Sequence, residues 1–237
     1  WLLTKHGKAK VVIGYDCRFG GEMFSMDVGM TLASKGVNVV LSNSFTSTPA
    51  VSLAVRKLNA QLGIVITASH NPYNYNGFKL KSSFGGPLFD DDIKDIENLV
   101  NYENQVDLDL VRADILIVKS LIELKSLDEI YIDHLKSHFN IELLKKSASS
   151  VAFDPMYGSG QNILPPLIPG INVIHRKHDF SFANTAPEPL EKNLTEFSKY
   201  ISKKPDIKFG IAVDGDADRI ALMDSDGNYI DSHHIIL

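Results

Sequence analysis

The sequence predicts an α/β fold of two tandem three-layer α/β/α domains with mixed, mainly parallel sheets. Three observations predict it. Short apolar runs rich in valine and isoleucine recur, as in strands buried on both faces. Helical stretches alternate with them, as in βαβ units. After a polar stretch at Lys145-Lys146-Ser147 the alternation starts again, which divides the chain into 1–145 and 146–237.

Val11-Val12-Ile13 is the first strand and runs into Gly14-Tyr15-Asp16. A helix follows Gly20-Gly21 and reaches about Lys35, with Gly36 as its C′ residue. Val37 to Leu41 is the second strand. Thr48-Pro49 reads as an N-cap with proline at the first helical position, opening a helix to about Leu58. Leu62 to Ile66 is a third buried strand, and Gly77 to Leu80 is a short edge strand. Asp90, Asp91 and Asp92 open a helix through Val100, where the macrodipole favours negative charge. Residues 104 to 125 are expected to hold a connecting strand. Residues 126 to 139 carry Ile130, Tyr131, His134, Leu135 and His138 at helical spacing.

In the second unit Val151-Ala152-Phe153 ends at Asp154. Gly158-Ser159-Gly160 opens a short helix that Pro165-Pro166 stops, and Ile171 to Ile174 is a strand. Leu194, Phe197 and Ile201 mark one helical face between Glu191 and Lys203. Phe209 to Val213 is a buried strand leading to Asp214, and Asp226-Gly227 marks a hairpin. Both units place Asp or Gly at the C-terminal ends of strands, where open α/β sheets bind ligands.

Composition narrows the function. Of 237 residues, 24 are Lys or Arg and 29 are Asp or Glu, a net charge of −5 that gives no footprint for nucleic acid or an anionic membrane. No apolar run is long enough for a bilayer. The single cysteine, Cys17, excludes an internal disulfide framework and multi-cysteine metal sites, and a reducing cytoplasm is the expected compartment. Trp1 is not an initiator methionine, and His234 to Leu237 read as the first turn of a helix, so both ends are expected to continue in a longer chain.

Two constellations carry chemistry. Thr67-Ala68-Ser69-His70-Asn71-Pro72 leaves a strand into a turn set by Asn71-Pro72, with an exposed serine hydroxyl expected at the sheet edge. On Ser69 and His70 alone an ordinary polar turn is the better explanation, and no G-x-S-x-G elbow supports a hydrolase. Asp214-Gly215-Asp216-Ala217-Asp218-Arg219 puts three carboxylates at alternate positions after a buried strand. Oxygen ligands without His or Cys favour Mg²⁺. Without a cation these carboxylates repel one another. An EF-hand is excluded, because Arg219 stands where its glycine belongs. Asp-x-Asp after a strand also resembles haloacid-dehalogenase-type phosphotransferases, with Asp214 as nucleophile and Asp216 as acid. That reading leaves the Ser69 loop without a role.

Taken together, the serine loop, Tyr75-Asn76-Gly77-Phe78-Lys79 and the aspartate loop resemble the α-D-phosphohexomutases. Gly14-Tyr15-Asp16-Cys17-Arg18, Phe153 to Gly160 and Pro187 to Leu194 agree in the same order. The resemblance implies intramolecular phosphoryl transfer on a hexose phosphate through phosphoserine 69 and a bisphosphorylated sugar, which also serves as activator. It implies Mg²⁺ held by Asp214, Asp216 and Asp218 with a phosphoserine oxygen. It places Arg18, Lys79 and Arg219 around the transferring group, with His70 beside it. Lys79 is the expected general acid/base, its pKa lowered by Arg18, Arg219 and Mg²⁺. The Thr-Ala-Ser wording points to a phosphoglucomutase or phosphomannomutase type. The family's first strand, its Gly-Glu sugar-recognition loop and its last phosphate-binding domain have no counterpart here, so the sugar and the oligomeric state stay open. The alternatives are an aspartyl phosphatase using Asp214 and a non-enzymatic sugar-phosphate-binding module.

Overall fold

The computed structural model describes residues 1–101, 103 and 106–236. It contains two five-stranded mixed sheets. The strands of the first are β1 (Lys10–Tyr15), β2 (Asn38–Ser42), β3 (Leu62–Ile66), β4 (Phe78–Ser82) and β5 (Ile122–Lys125), in the order β4-β3-β1-β2-β5. Only β4 runs antiparallel to its neighbour, pairing Lys79 with Val65. The strands of the second are β6 (Val151–Asp154), β7 (Asn172–Val173), β8 (Phe209–Val213), β9 (Ile220–Met223) and β10 (Tyr229–Ile230), in the order β10-β9-β8-β6-β7. There β6, β7 and β8 are parallel, and β9 and β10 are antiparallel additions.

Helices α1 (Leu2–His6), α2 (Gly21–Ser34), α3 (Thr48–Lys57), α4 (Asp90–Asn98), α5 (Ala113–Val118), α6 (Leu127–His138) and α7 (Ile141–Lys146) surround the first sheet and lead to the second. Side-chain alternation sorts its core into two layers. Val11, Ile13, Val39, Leu41, Ile64 and Ile66 form one, with Met26 and Met30 of α2 and Leu116 of α5. Val12, Val40 and Val65 face the other way, onto Val51, Ala54 and Val55 of α3 and Leu127 of α6. Helix α6 serves both units, since Ile132 and Leu135 pack on Ala148, Leu167 and Ile168. In the second unit, α8 (Leu164–Leu167) precedes β7, and α9 (Thr195–Ser202) buries Phe197 and Ile201 against Ala152, Ala212 and Met223. The chain closes with α10 (Ser232–Ile236). Among the described residues no helix is long and apolar enough to cross a membrane.

Several elements differ from expectation. The residue capping α3 is Ser47, whose hydroxyl accepts from the Ala50 N–H; Thr48 is already helical. Residues 106 to 125 hold the expected strand as β5, but a 3₁₀ turn (Leu108–Leu110) and α5 precede it, and Asn104 and Gln105 lie outside the described residues. Pro165 and Pro166 do not stop a helix but sit within the first turn of α8, where a missing N–H leaves no bond unmade. Gly158-Ser159-Gly160 instead leads into a separate 3₁₀ turn (Ser159–Asn162). Lys145 and Lys146 end α7, where cations oppose the helix dipole.

Candidate active site

Strand β3 ends at Ile66, and three bonds shape the loop beyond it. The Thr67 hydroxyl donates to Asp16 Oδ2 at 2.6 Å and accepts the Ser69 N–H at 2.8 Å. The Asn71 N–H reaches the Ala68 carbonyl at 3.0 Å. The result holds Ser69 at φ 54°, a left-handed conformation that costs a non-glycine residue roughly 1–3 kcal/mol. Gly77 lets the returning chain lie against the loop, because a Cβ there would stand 2.6 Å from the Thr67 carbonyl oxygen.

Arg18 stabilises this loop from beneath. Its Nη2 donates to the carbonyls of Ser69 (2.6 Å) and Asn71 (2.7 Å), and Nη1 to those of Pro72 (2.7 Å) and Tyr75 (3.1 Å). Its Nε donates to Asp16 Oδ2 at 3.0 Å. All five guanidinium N–H groups are thereby engaged. The guanidinium also lies over the Phe182 ring of the second unit, 5.1 Å from its centroid. The expectation that Arg18 surrounds the transferring group is therefore corrected: its fork is turned into the loop, because buried carbonyls and the buried Asp16 require donors. Burial pushes Asp16 up to about 6 even with Arg18 beside it.

The aspartate loop follows β8 and meets the serine loop directly. Asp214 Oδ2 accepts the Ser69 hydroxyl at 3.0 Å, and Oδ1 accepts the backbone N–H groups of Asp218 and Arg219 at 2.9 and 3.0 Å. Gly215 permits the approach, since a Cβ would stand 2.8 Å from the Ser69 carbonyl oxygen. The serine hydroxyl is consequently not exposed as expected. Ser69 is 7% accessible, because the second sheet brings its own loop over the first. Burial and the Asp216 and Asp218 carboxylates push Asp214 up to about 7. Burial also acts on Asp216, but the Lys79 ammonium and the Thr48 hydroxyl outweigh it and hold that carboxyl below its usual range.

Lys79 projects from β4, and its Nζ lies 2.9 Å from Asp216 Oδ2 and 3.4 Å from Asp218 Oδ2. Its pKa is raised, not lowered: burial acts downward, but the two carboxylates outweigh it, and Arg18 is engaged elsewhere. Arg219 is half-exposed and pairs with Glu188 at 3.1 Å. The His70 Nε2 is 3.9 Å from the same Glu188, and among the described residues nothing hydrogen-bonds its buried Nδ1.

The residues fit a hard divalent cation. Asp214, Asp216 and Asp218 each offer a carboxylate oxygen within 4.8 Å of the others. Asp216 Oδ1 is buried and has no hydrogen-bond donor among the described residues. An unpaired buried carboxylate oxygen is costly, and a cation satisfies it.

Residues 1–107 match the family model described as phosphoglucomutase/phosphomannomutase, alpha/beta/alpha domain I, and residues 129–227 match domain II of the same family. The chain belongs to the α-D-phosphohexomutase family. A phosphoglucomutase/phosphomannomutase of Thermococcus kodakarensis is 35% identical over 97% of this chain and 50% of its own length. A phosphoglucosamine mutase of Finegoldia magna is 31% identical over 95% of this chain and 49% of its own length. Among solved structures, a candidate phosphomannomutase from Thermus thermophilus superposes with a TM-score of 0.85 at 32% identity, over 98% of this chain and 52% of that one. The chain thus spans about half the length of the relatives it matches.

Within this family frame, sequence reasoning missed Asp16, Thr67, Thr48 and Glu188. Asp16 and Glu188 stand inside motifs that the sequence marks for other residues. Thr67 opens the serine loop. Thr48 has the residue type and place of a helix cap, and no local signal distinguishes it from Ser47.

Proposed function

We propose that this chain carries the phosphoserine and metal half of a hexose-phosphate mutase, with its units at 1–145 and 146–237. It would transfer a phosphoryl group within a hexose phosphate through phosphoserine 69 and a bisphosphorylated sugar. The observation that carries the reading is the 3.0 Å bond from Ser69 Oγ to Asp214 Oδ2, which joins the buried serine to the carboxylate cluster.

In this reading a sugar hydroxyl attacks the phosphorus on Ser69, the P–Oγ bond breaks and a sugar O–P bond forms. The serine oxygen must gain a proton and the hydroxyl must lose one. Lys79 carries it, beginning as the ammonium that Asp216 and Asp218 hold, donating to Ser69 Oγ and recovering the proton of the attacking hydroxyl. Asp214, Asp216 and Asp218 would hold Mg²⁺, which supplies charge neutralisation for the phosphoryl oxygens. Arg219 and His70, both beside Glu188, would offer cationic and hydrogen-bonding groups to the phosphate, and Arg18 holds the loop beneath Ser69. The small-molecule partner is a hexose phosphate.

The geometry favours this over an aspartyl phosphatase. The Ser69 hydroxyl donates to Asp214 Oδ2, which gives the serine loop a place in the site that a phosphatase using Asp214 leaves without a role. Peptide mass analysis of protein purified from cells is expected to find the phosphoryl group on Ser69. A phosphoryl group found stably on Asp214 instead would overturn the mutase reading.

A further inference from the structure

Thr48 is 2% accessible and sits at the start of α3 in the first unit, yet both its hydrogen-bond donors reach the second. Its N–H donates to the Asp216 carbonyl at 2.9 Å, and its hydroxyl donates to Asp216 Oδ2 at 2.5 Å. The hydroxyl is not needed to cap α3, because Ser47 already satisfies the Ala50 N–H. Lys79 Nζ reaches the same Oδ2 at 2.9 Å. Two donors on Oδ2 fix the rotation of the Asp216 carboxylate and leave Oδ1 as the oxygen with no donor. Of the two, the threonine hydroxyl is the more rigidly placed: it rides on a helix start held at both its N–H and its cap, whereas the lysine ammonium ends a flexible four-carbon stem.

We propose that Thr48 is a positioning residue for the cation, orienting Asp216 so that its free, buried oxygen faces Asp214 and Asp218. This rests on the reading of the three aspartates as a Mg²⁺ site. The rotation of a carboxylate that a cation must find preformed is set by hydrogen bonds to its other oxygen, and losing such a partner typically weakens metal binding about 10–100-fold. The arrangement also makes the site a product of two units. The first supplies Thr48 and Lys79, and the second supplies the ligands, so cation affinity reports how the two sheets are seated against each other.

The test is calorimetric titration of MgCl₂ into the full-length protein and its variants, with urea unfolding of each metal-free protein alongside. Thr48→Val keeps the shape and removes the hydroxyl, and is expected to weaken Mg²⁺ binding about 10–100-fold. Thr48→Ser restores the hydroxyl and is expected to bind within about threefold of the parent. Thr48→Ala serves in place of valine if that variant does not fold. Binding by Thr48→Val or Thr48→Ala as tight as the parent's overturns the proposal, as does a serine variant as weak as valine, which would make the methyl contact responsible. Asp216→Ala separates the two levels. If it has lost Mg²⁺ while Thr48→Val has not, only the role of Thr48 fails. If Asp216→Ala binds Mg²⁺ like the parent, the metal reading fails and takes this inference with it.

Discussion

Replacing Arg18 by methionine keeps the apolar stem and removes the guanidinium. Five donated bonds disappear, and the Asp16 carboxylate is left buried at 1% accessibility with the Thr67 hydroxyl and the Arg18 backbone N–H as its remaining donors. Removing one partner of a buried ion pair typically destabilises by about 3–5 kcal/mol, and that is the loss expected in urea unfolding at pH 7. The loss should depend on pH in a defined direction. In the parent Asp16 titrates at about 6, above its range in the unfolded chain, so its contribution is present at low pH and falls as pH rises towards 6. Without Arg18 the charged form loses its counter-ion, so the folded carboxyl holds its proton to still higher pH. Above pH 6 the variant therefore loses stability relative to the parent at up to about 1.4 kcal/mol per pH unit, and below 6 the difference is flat. Adding Asp16→Asn to Arg18→Met removes the titrating group and should abolish that slope. A loss under about 1 kcal/mol at pH 7, or a difference that does not grow between pH 6 and 8, would refute the role assigned to Arg18.

Two further predictions test neighbouring features. Gly77→Ala should destabilise by about 1–3 kcal/mol, because the new Cβ meets the Thr67 carbonyl oxygen at 2.6 Å. Urea midpoints check it, and peptide mass analysis should find less phosphoryl group on Ser69. His175, away from the aspartates, is held by Asp154 at 3.0 Å and Glu196 at 3.3 Å, with the Tyr157 ring stacked 4.7 Å away. Burial lowers its pKa, but the two carboxylates outweigh it and the net shift is upward. Its contribution is therefore full below the unfolded value near 6.5 and is lost as pH rises through the folded value. The stability gap between the parent and His175→Gln, on the order of 1 kcal/mol at pH 6, should close towards pH 8. A gap that widens with pH would mean His175 is held neutral.

Short apolar runs were enough to read β1, β2, β3, β6 and β8, since a strand covered on both faces is apolar along most of its length. The edge strand was legible in Gly77 to Leu80, and the hairpin in Asp226-Gly227, where Gly227 adopts φ 83°. Helix α5 was not legible: Leu108 to Leu124 mix apolar residues on every face, and α5 buries only Leu116. Nor was α7, whose two lysines resemble a linker but end a helix.

The chemistry divides in the same way. Ser69, Lys79 and the three aspartates stand in local motifs, and local sequence by itself was enough to single them out as candidates. Their conditions were decided by contacts across the chain. Ser69 meets Asp214 145 positions away, and Thr48 meets Asp216 168 positions away. Contacts of this range bury a serine that its own turn would expose, set Arg18 against the Ser69 carbonyl 51 positions on, bring Asp216 and Asp218 to Lys79 to raise its pKa, and leave one oxygen of Asp216 without a donor among the described residues. Burial and the placing of neighbouring charges set pKa values and hydrogen-bond partners, and both depend on which loops the two sheets bring together, which no window of sequence contains.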